Sequence, residues 1–216
     1  MSTVIKGSVE GDGTHGGFVA LKPDWSNAHL TIEGCVYDGK IITTNGTTHC
    51  GGFVGYTSYG SLTIKNSIYA PAAPATGETA VNSQYTFYRY NDKHPGTITL
   101  TNSYYTQTLG TAQGKQALSI GFLEGIDITV VPKGEATEYE VSGITVYDGN
   151  PCMKYLNTVY ADNGDIVPIS FTHNYVGCTV RNYRVAEGGA TLTGNNTDGY
   201  VLTMANADVQ IGRAHV

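Results

Sequence analysis

GGFVGYTSYG, residues 51–60, admits three readings: a loop that cradles a phosphate, a hairpin turn, or one rung of a repeat. Its neighbours decide between them. Related strands occur as THGGFVAL (14–21), THCGGFVGY (48–56) and, in degraded form, SQYTFYRY (83–90), so that Phe18, Phe53 and Phe87 stand about 35 residues apart. A second strand follows each: LTIEGCVY (30–37), LTIKNSIY (62–69) and ITLTNSYY (98–105). They share the template apolar-Thr-apolar-x-[Gly/Asn]-[Cys/Ser]-x-Tyr. A phosphate loop would need a following Lys-Ser/Thr or a strand–loop–helix unit, and neither follows these glycines.

Alternation along Leu62-Thr63-Ile64 turns the apolar side chains inward and Thr outward. One such unit cannot bury its apolar face alone, whereas stacked units can. The Gly/Asn-Cys/Ser pair suits a bend, because Gly and Asn tolerate positive φ. Tyr37, Tyr69 and Tyr105 share one repeat position and are expected to form an aromatic ladder, and Phe18, Phe53 and Phe87 a second one inside. The pattern predicts an all-β chain whose first part, residues 1–120, is a parallel β-helix-like solenoid of about three repeats. VIKGSVEG (4–11) aligns with LTIEGCVYDG, Ile5 with Ile32, Gly7 with Gly34 and Ser8 with Cys35, as if the chain began partway through an earlier repeat. No basic region and apolar stretch of a signal peptide follow Met1.

Composition agrees with an uncharged polar β-surface. Charged residues make up 14% of the 216 residues, against a usual ~25%, and the chain carries 28 Gly and 16 Tyr. A formal net charge of −6 without a Lys/Arg cluster argues against nucleic acid as a partner. No apolar run is long enough to span a membrane. Cys35, Cys50, Cys152 and Cys178 show no zinc spacing. A Cys152–Cys178 disulfide within one C-terminal domain is one reading, and four buried or half-buried thiols the preferred one.

Beyond GTAQGKQALSIG (110–121), taken as the exit from the last rung, short strands alternate with Gly-, Asn- and Pro-rich turns: IDITVV (126–131), YEVSGITVY (139–147), DIVPISFTH (165–173), CTVRNYRV (178–185) and YVLTMANADVQI (200–211). This predicts a small antiparallel β-domain over residues 121–211. The final IGRAHV (211–216) back-translates to the start of a widely used sequencing-library adapter with a stop codon next in frame. Residues 212–216 are therefore expected to be a non-native tail.

The repeat resembles the GLUG-type motif of secreted bacterial surface proteins, found in adhesins and alongside IgA-specific peptidases. Gly51-Gly52-Phe53-Val54-Gly55 and Asn66-Ser67 carry the likeness best, over roughly residues 4–117. The first copy ends in Ala20 instead of Gly, and the third has lost its glycines. LTMANADVQI is similar to the closing segment of small repeat domains in bacterial surface proteins, with Ala205 where those carry Pro. The resemblance implies an extracellular or cell-surface location and an adhesive or spacer role, and it supplies no catalytic residue or cofactor.

Other constellations bear on chemistry. Asp24 and Asp92, with Lys22 and Lys93 nearby, are the acids a polysaccharide lyase or hydrolase would use, but solvated loop acids are far commoner and no catalytic residue is expected. His15 and His49 precede two GGF strands and could face each other on adjacent rungs, where paired imidazoles can bind Zn²⁺ or Cu²⁺; no third ligand is visible and loop histidines are usually idle, so no metal site is expected. Asp162-Asn163-Gly164-Asp165 has the look of a calcium loop, but Phe171 stands where the bidentate Glu belongs, so a turn is expected. Trp25, in the loop KPDWSN, together with Tyr56, Tyr59, Tyr88 and Tyr90, could form a stacking platform for sugar rings or a protein interface; packing of the tyrosines over the solenoid edges is the preferred reading, with Trp25 the best single candidate for binding. The expectation is a non-enzymatic fragment whose partner is a host or extracellular glycan or protein, with a carbohydrate-active module as the alternative.

Overall fold

The computed structural model describes residues 4–11, 14–43, 50–71, 85–133, 139–141, 143–147, 149–174, 176–177, 180 and 182–213. Among them every regular element is a β-strand. The chain divides into a first unit, residues 1–115, and a second, residues 116–216.

The first unit contains β1 (Val4–Gly11), β2 (His15–Gly16), β3 (His29–Glu33), β4 (Val36–Thr43), β5 (Cys50–Gly51), β6 (Val54–Thr57), β7 (Ser61–Tyr69), β8 (Tyr88–Tyr90), β9 (Thr97–Tyr105) and β10 (Lys115–Gln116), the last straddling the boundary. Three ladders run through it. The largest has the order β1-β4-β7-β9-β10, with β3 also on β7. The second joins β2 to β5 and continues through single bridges Gly51↔Tyr85 and Tyr85↔Thr111. The third joins β6 to β8 and includes Val19↔Val54. The strand pairs β1–β4, β3–β7, β4–β7, β7–β9, β2–β5 and β6–β8 are all parallel.

The register sets like upon like: Leu30 on Leu62 on Ile98, Thr31 on Thr63 on Thr99, and Ile32 on Ile64 on Leu100. Because side chains alternate, this places Ile32, Leu62 and Ile64 in one buried cluster. The bend after the apolar triplet is built as the template requires: Gly34, Asn66 and Asn102 have φ of 58°, 50° and 44°. The small polar residue that follows folds back on the chain. Ser67 Oγ donates to Lys65 O (2.8 Å) and Ser103 Oγ to Thr101 O (3.0 Å). Across rungs, Cys35 N donates to Ser67 Oγ (3.1 Å) and Asn102 Nδ2 to Asn66 Oδ1 (2.9 Å).

Aromatic rings fill the space between the ladders. Phe53 lies 4.8 Å from Phe18 and 4.9 Å from Phe87, centroid to centroid. Tyr37 stacks on Tyr69 at 5.8 Å with planes 5° apart, and Tyr105, at the same register position, packs half-buried against the same core. Gly52 lies between these two systems. A Cβ there would fall on Thr86 O of the next rung and 2.7 Å from the Tyr69 ring. The double glycine thus answers a close approach of backbones, not a turn.

One alignment is corrected by the register. Val4–Gly11 lies on Val36–Thr43, so Ile5 faces Tyr37, Gly7 faces Gly39 and Ser8 faces Lys40. The match of Ile5 to Ile32, Gly7 to Gly34 and Ser8 to Cys35 followed residue type. The ladder follows the spacing that the neighbouring rungs share.

The second unit adds β11 (Leu118–Phe122), β12 (Ile126–Val130), β13 (Tyr139–Val141), β14 (Ile144–Val146), β15 (Cys152–Tyr155), β16 (Thr158–Ala161), β17 (Ile166–His173), β18 (Tyr183–Glu187), β19 (Thr191–Asn195), β20 (Gly199–Thr203) and β21 (Val209–Arg213). They form a seven-stranded sheet, β13-β14-β15-β16-β11-β21-β18, and a four-stranded sheet, β12-β17-β20-β19. Pairing is antiparallel except between β11 and β21, which run parallel. Leu118, Ile120, Ala161, Val209 and Ile211 of one sheet and Ile126, Val167, Ile169 and Leu202 of the other meet in a single buried cluster.

Several boundaries differ from the sequence reading. Leu118–Phe122, assigned to the exit from the repeats, is a strand of the second unit. β13 and β14 form a hairpin, with Gly143 at φ of 75° between them. Residues 200–211 are two strands in different sheets. The break falls at Ala205–Asp208, where Ala207 N bonds Ala205 O and Asp208 Oδ1 accepts from Ser119 N (2.7 Å). β15 and β16, unread in the sequence, form a hairpin closed by Leu156-Asn157, with Leu156 at φ 49°, instead of the usual Asn-Gly. Gly212 and Arg213, expected to be tail, pair with Arg184 and Tyr183. Residues 214–216 lie outside the described residues.

Candidate functional site

Between the GGF strands and the apolar-Thr-apolar strands, each repeat carries a loop, and the loops stack. Lys22 N donates to Tyr56 O (2.9 Å), Asn91 N to Thr57 O (3.0 Å) and Tyr59 N to His94 O (2.9 Å). The five aromatic candidates lie on this stack. Trp25 is 70% exposed, and Tyr56, Tyr59, Tyr88 and Tyr90 are half-buried.

Their contacts divide them into four groups. Tyr88 and Tyr90 approach at 6.1 Å, and Tyr85, not singled out from sequence, joins Tyr90 at 5.4 Å. The Arg89 guanidinium lies 4.8 Å above the Tyr56 ring, a cation–π geometry. Tyr59, held at φ 47°, stacks on His94 at 4.6 Å. Trp25 contributes Trp25 O to Ala28 N (3.0 Å), a turn that projects the indole outward. Burial pushes the Tyr88 hydroxyl above its ordinary pKa, with the neighbouring Tyr90 adding to it.

Arg89, His94 and Gln113 were missed because a single polar residue outside the repeat template carries no periodic signal. Gln113 Oε1 accepts from Phe87 N (2.9 Å) and Tyr88 N (2.8 Å), and its Nε2 donates to Tyr88 O (3.0 Å), closing the backbone of the last GGF-type strand.

Beneath the loops, Lys22 is buried and its Nζ donates to Ser58 O (3.1 Å) and Tyr59 O (3.0 Å) of the adjacent rung. Burial holds its pKa below the usual lysine value, with Asp24 pulling the other way. Asp24 in turn accepts a hydrogen bond from Ser58 Oγ. The ammonium therefore acts as a cap on carbonyls, and the carboxylate is tied to the loop it touches. Asp92 and Lys93 are exposed at the third loop, where Asn91 Oδ1 accepts from Lys93 N (3.0 Å).

His15 pairs with Cys50 across β2 and β5, and is buried there. His49 and Cys178 lie outside the described residues. Cys35, Cys50 and Cys152 are buried, and burial pushes the Cys50 thiol up. Asp162–Asp165 forms a turn: Asp165 N donates to Asp162 O (3.1 Å), Asp162 N to Asp165 Oδ2 (2.8 Å), and Gly164 has φ of 80°. Among the described residues no three His, Cys, Asp or Glu side chains converge on one point.

Concavities of the second unit include two that described residues line. One, of about 190 Å³, lies over Phe171, Tyr183 and Tyr200 beside Asn196. Phe171 stacks on Tyr183 at 4.0 Å, and Tyr200 Oη donates to Asn196 Oδ1 (2.9 Å). The rings pack on one another, so the floor is a mutual aromatic contact more than an open cage. The other, of about 460 Å³, is lined by Phe122, Asp127, Tyr147 and Lys154. No family model, curated protein or solved structure matches the chain.

Proposed function

We propose that the chain is a non-catalytic adhesive or spacer module of a bacterial cell-surface or secreted protein, and that its first unit is a parallel β-solenoid of the GLUG type. The observation that carries this reading is the register. Equivalent residues of successive repeats stack upon one another in three parallel ladders, Thr on Thr, Phe beside Phe and Asn on Asn. Such a stack is stiffened by backbone bonds along its length and carries few charges. It suits a rod that holds its loops away from a surface. A host or extracellular glycan or protein is the partner, met by the loop face with Trp25 at its rim.

A carbohydrate-active module is the second reading, favoured by the 70% exposure of Trp25 beside the half-buried Tyr88 and Tyr90. Glycan and matrix-protein arrays probed with the wild type and Trp25→Ala separate the two. Glycan signals that vanish in Trp25→Ala select sugar recognition, and protein signals alone select an adhesive contact. Release of new reducing ends or unsaturated sugars from pectin- or mucin-type glycans would overturn the non-catalytic reading.

A further inference from the structure

The four-stranded sheet of the second unit ends at β12, which among the described residues pairs with β17 alone. Register fixes the polarity of its other edge. Val131 N donates to Pro168 O (2.9 Å) and Asn174 N to Gly125 O (3.2 Å). Residues 125, 127, 129 and 131 therefore turn their N–H and C=O groups to β17, and those of Ile128 and Val130 face away from the sheet. The chain on either side of β12 is tied down elsewhere. Leu123 N donates to Ile211 O (2.9 Å), and Val131 O accepts from Asn150 Nδ2 (2.8 Å).

Along this edge runs the concavity of about 460 Å³. Asp127, Ile128 and Thr129 line it from β12, and Val159 and Lys154 from the opposite sheet. Ile126 and Val130 are buried, whereas Ile128, between them on the same face, is only half-buried. The core is thus incompletely covered at Ile128. Lys154 shares the inner face with Cys152 and Val159, since it lies two residues from one and opposite the other. It is half-buried, and among the described residues no carboxylate lies within ion-pair distance of it. Asp127 alternates to the outer face and is exposed.

We propose that the open edge of β12 and this groove take up an extended peptide strand of a partner protein, with an aliphatic side chain and, two residues away, a carboxylate. The strand's backbone bonds the outward groups of Ile128 and Val130. Its aliphatic side chain packs on Ile128 and Val159, and its carboxylate meets Lys154. Each feature selects part of this occupant. A peptide backbone offers donors and acceptors at the spacing of the edge. Alternation puts residues two apart on the same inner face. Lys154 supplies the charge that favours an acid there, and Asp127 disfavours one at the position between. The inference rests on the second unit alone and is independent of the adhesive reading.

The test is residue-resolved amide hydrogen exchange on the full chain with the capped peptide acetyl-TVTET-amide at millimolar concentration. The Ile128 and Val130 amides should slow on the order of tenfold near saturation, while Asp127 and Thr129, already bonded to β17, should change little. N-methylation of the peptide's valine removes the donor facing Ile128 O and should abolish the protection. Acetyl-TVTQT-amide should bind about fivefold more weakly than the acid, and Lys154→Gln should erase that difference. If the variant does not fold, the peptide series alone decides. Unchanged Ile128 exchange with TVTET, equal protection by the N-methylated peptide, or equal binding of TVTET and TVTQT overturns the proposal. A Glu/Gln difference that survives Lys154→Gln does so as well. Slowing that grows with protein concentration in the absence of peptide also overturns it, because a second copy would then hold the edge.

Discussion

Gly52→Ala isolates the reason for the double glycine. Gly52 is not among the residues with positive φ. At an unconstrained site of that kind, Gly→Ala stabilises by ~0.4–1 kcal/mol through the unfolded chain. Here the new Cβ would fall on Thr86 O and lie 2.7 Å from the Tyr69 ring. A carbonyl inside a ladder cannot swing away, so the rungs must part. Parting them weakens Gly52 N→Tyr85 O (3.3 Å) and Phe53 N→Phe87 O (2.7 Å). Overpacking costs ~1–3 kcal/mol and each strained hydrogen bond adds ~1 kcal/mol, for a net loss of about 2–4 kcal/mol. The matched position one rung on is Thr86, whose Oγ1 donates to Thr111 O (3.0 Å) and accepts from Leu109 N (3.2 Å). Thr86→Gly should therefore also destabilise, by ~1–3 kcal/mol, although it supplies the residue that the second rung requires. Urea unfolding followed by far-ultraviolet circular dichroism, with hydrogen exchange to assign the loss to the first unit, measures both. A Gly52→Ala chain as stable as the wild type, or more so, would refute the close-approach argument.

Further outcomes follow from the same packing. Phe53→Ala removes a fully buried ring from between Phe18 and Phe87 and should cost ~3–5 kcal/mol in denaturant unfolding. Lys22→Met keeps the stem but strips Ser58 O and Tyr59 O of their donor. It should destabilise by ~1–3 kcal/mol, and a neutral result would remove the capping role. At Asn66, with φ of 50°, Gly should stay within about 1 kcal/mol of the wild type, while Val should cost ~2 kcal/mol or more, read as a shift in the urea midpoint. Burial raises the Tyr37 hydroxyl from an ordinary 10.0 to about 12 and raises Tyr69 as well. A raised folded pKa means the stabilisation is whole below pH 10 and fades as pH climbs toward 12, because the unfolded chain ionises first. Tyrosinate absorbance against pH should show these rings titrating late and unfolding setting in over that window.

Much of the first unit is legible without coordinates. The spacing of Phe18, Phe53 and Phe87, the apolar-Thr-apolar triplets and the Gly/Asn bend all derive from local rules of alternation and positive φ. They locate strands and bends in the stack, because each repeat states the same constraint again. The second unit lacks that redundancy. Its Leu156-Asn157 hairpin uses a turn pair with no distinctive signature, and the crossing from β20 to β21 at Ala205–Asp208 passes for one continuous strand until two separate sheets claim its halves. The loop site is legible in part. Aromatic residues in loops can be named from sequence, but Arg89 over Tyr56 and His94 under Tyr59 meet only through stacking of distant segments.

By itself, then, the sequence determined the repeat, its apolar columns and the residues able to bend between them, since these depend on period and backbone chirality. Only the tertiary structure decided which rung lies on which. That set Ile5 against Tyr37 instead of Ile32 and buried Lys22 as a carbonyl cap. The physical reason is that register and end exposure belong to the stack. A strand's own residues dictate which face it buries, and its neighbours dictate whether that face is covered once or twice.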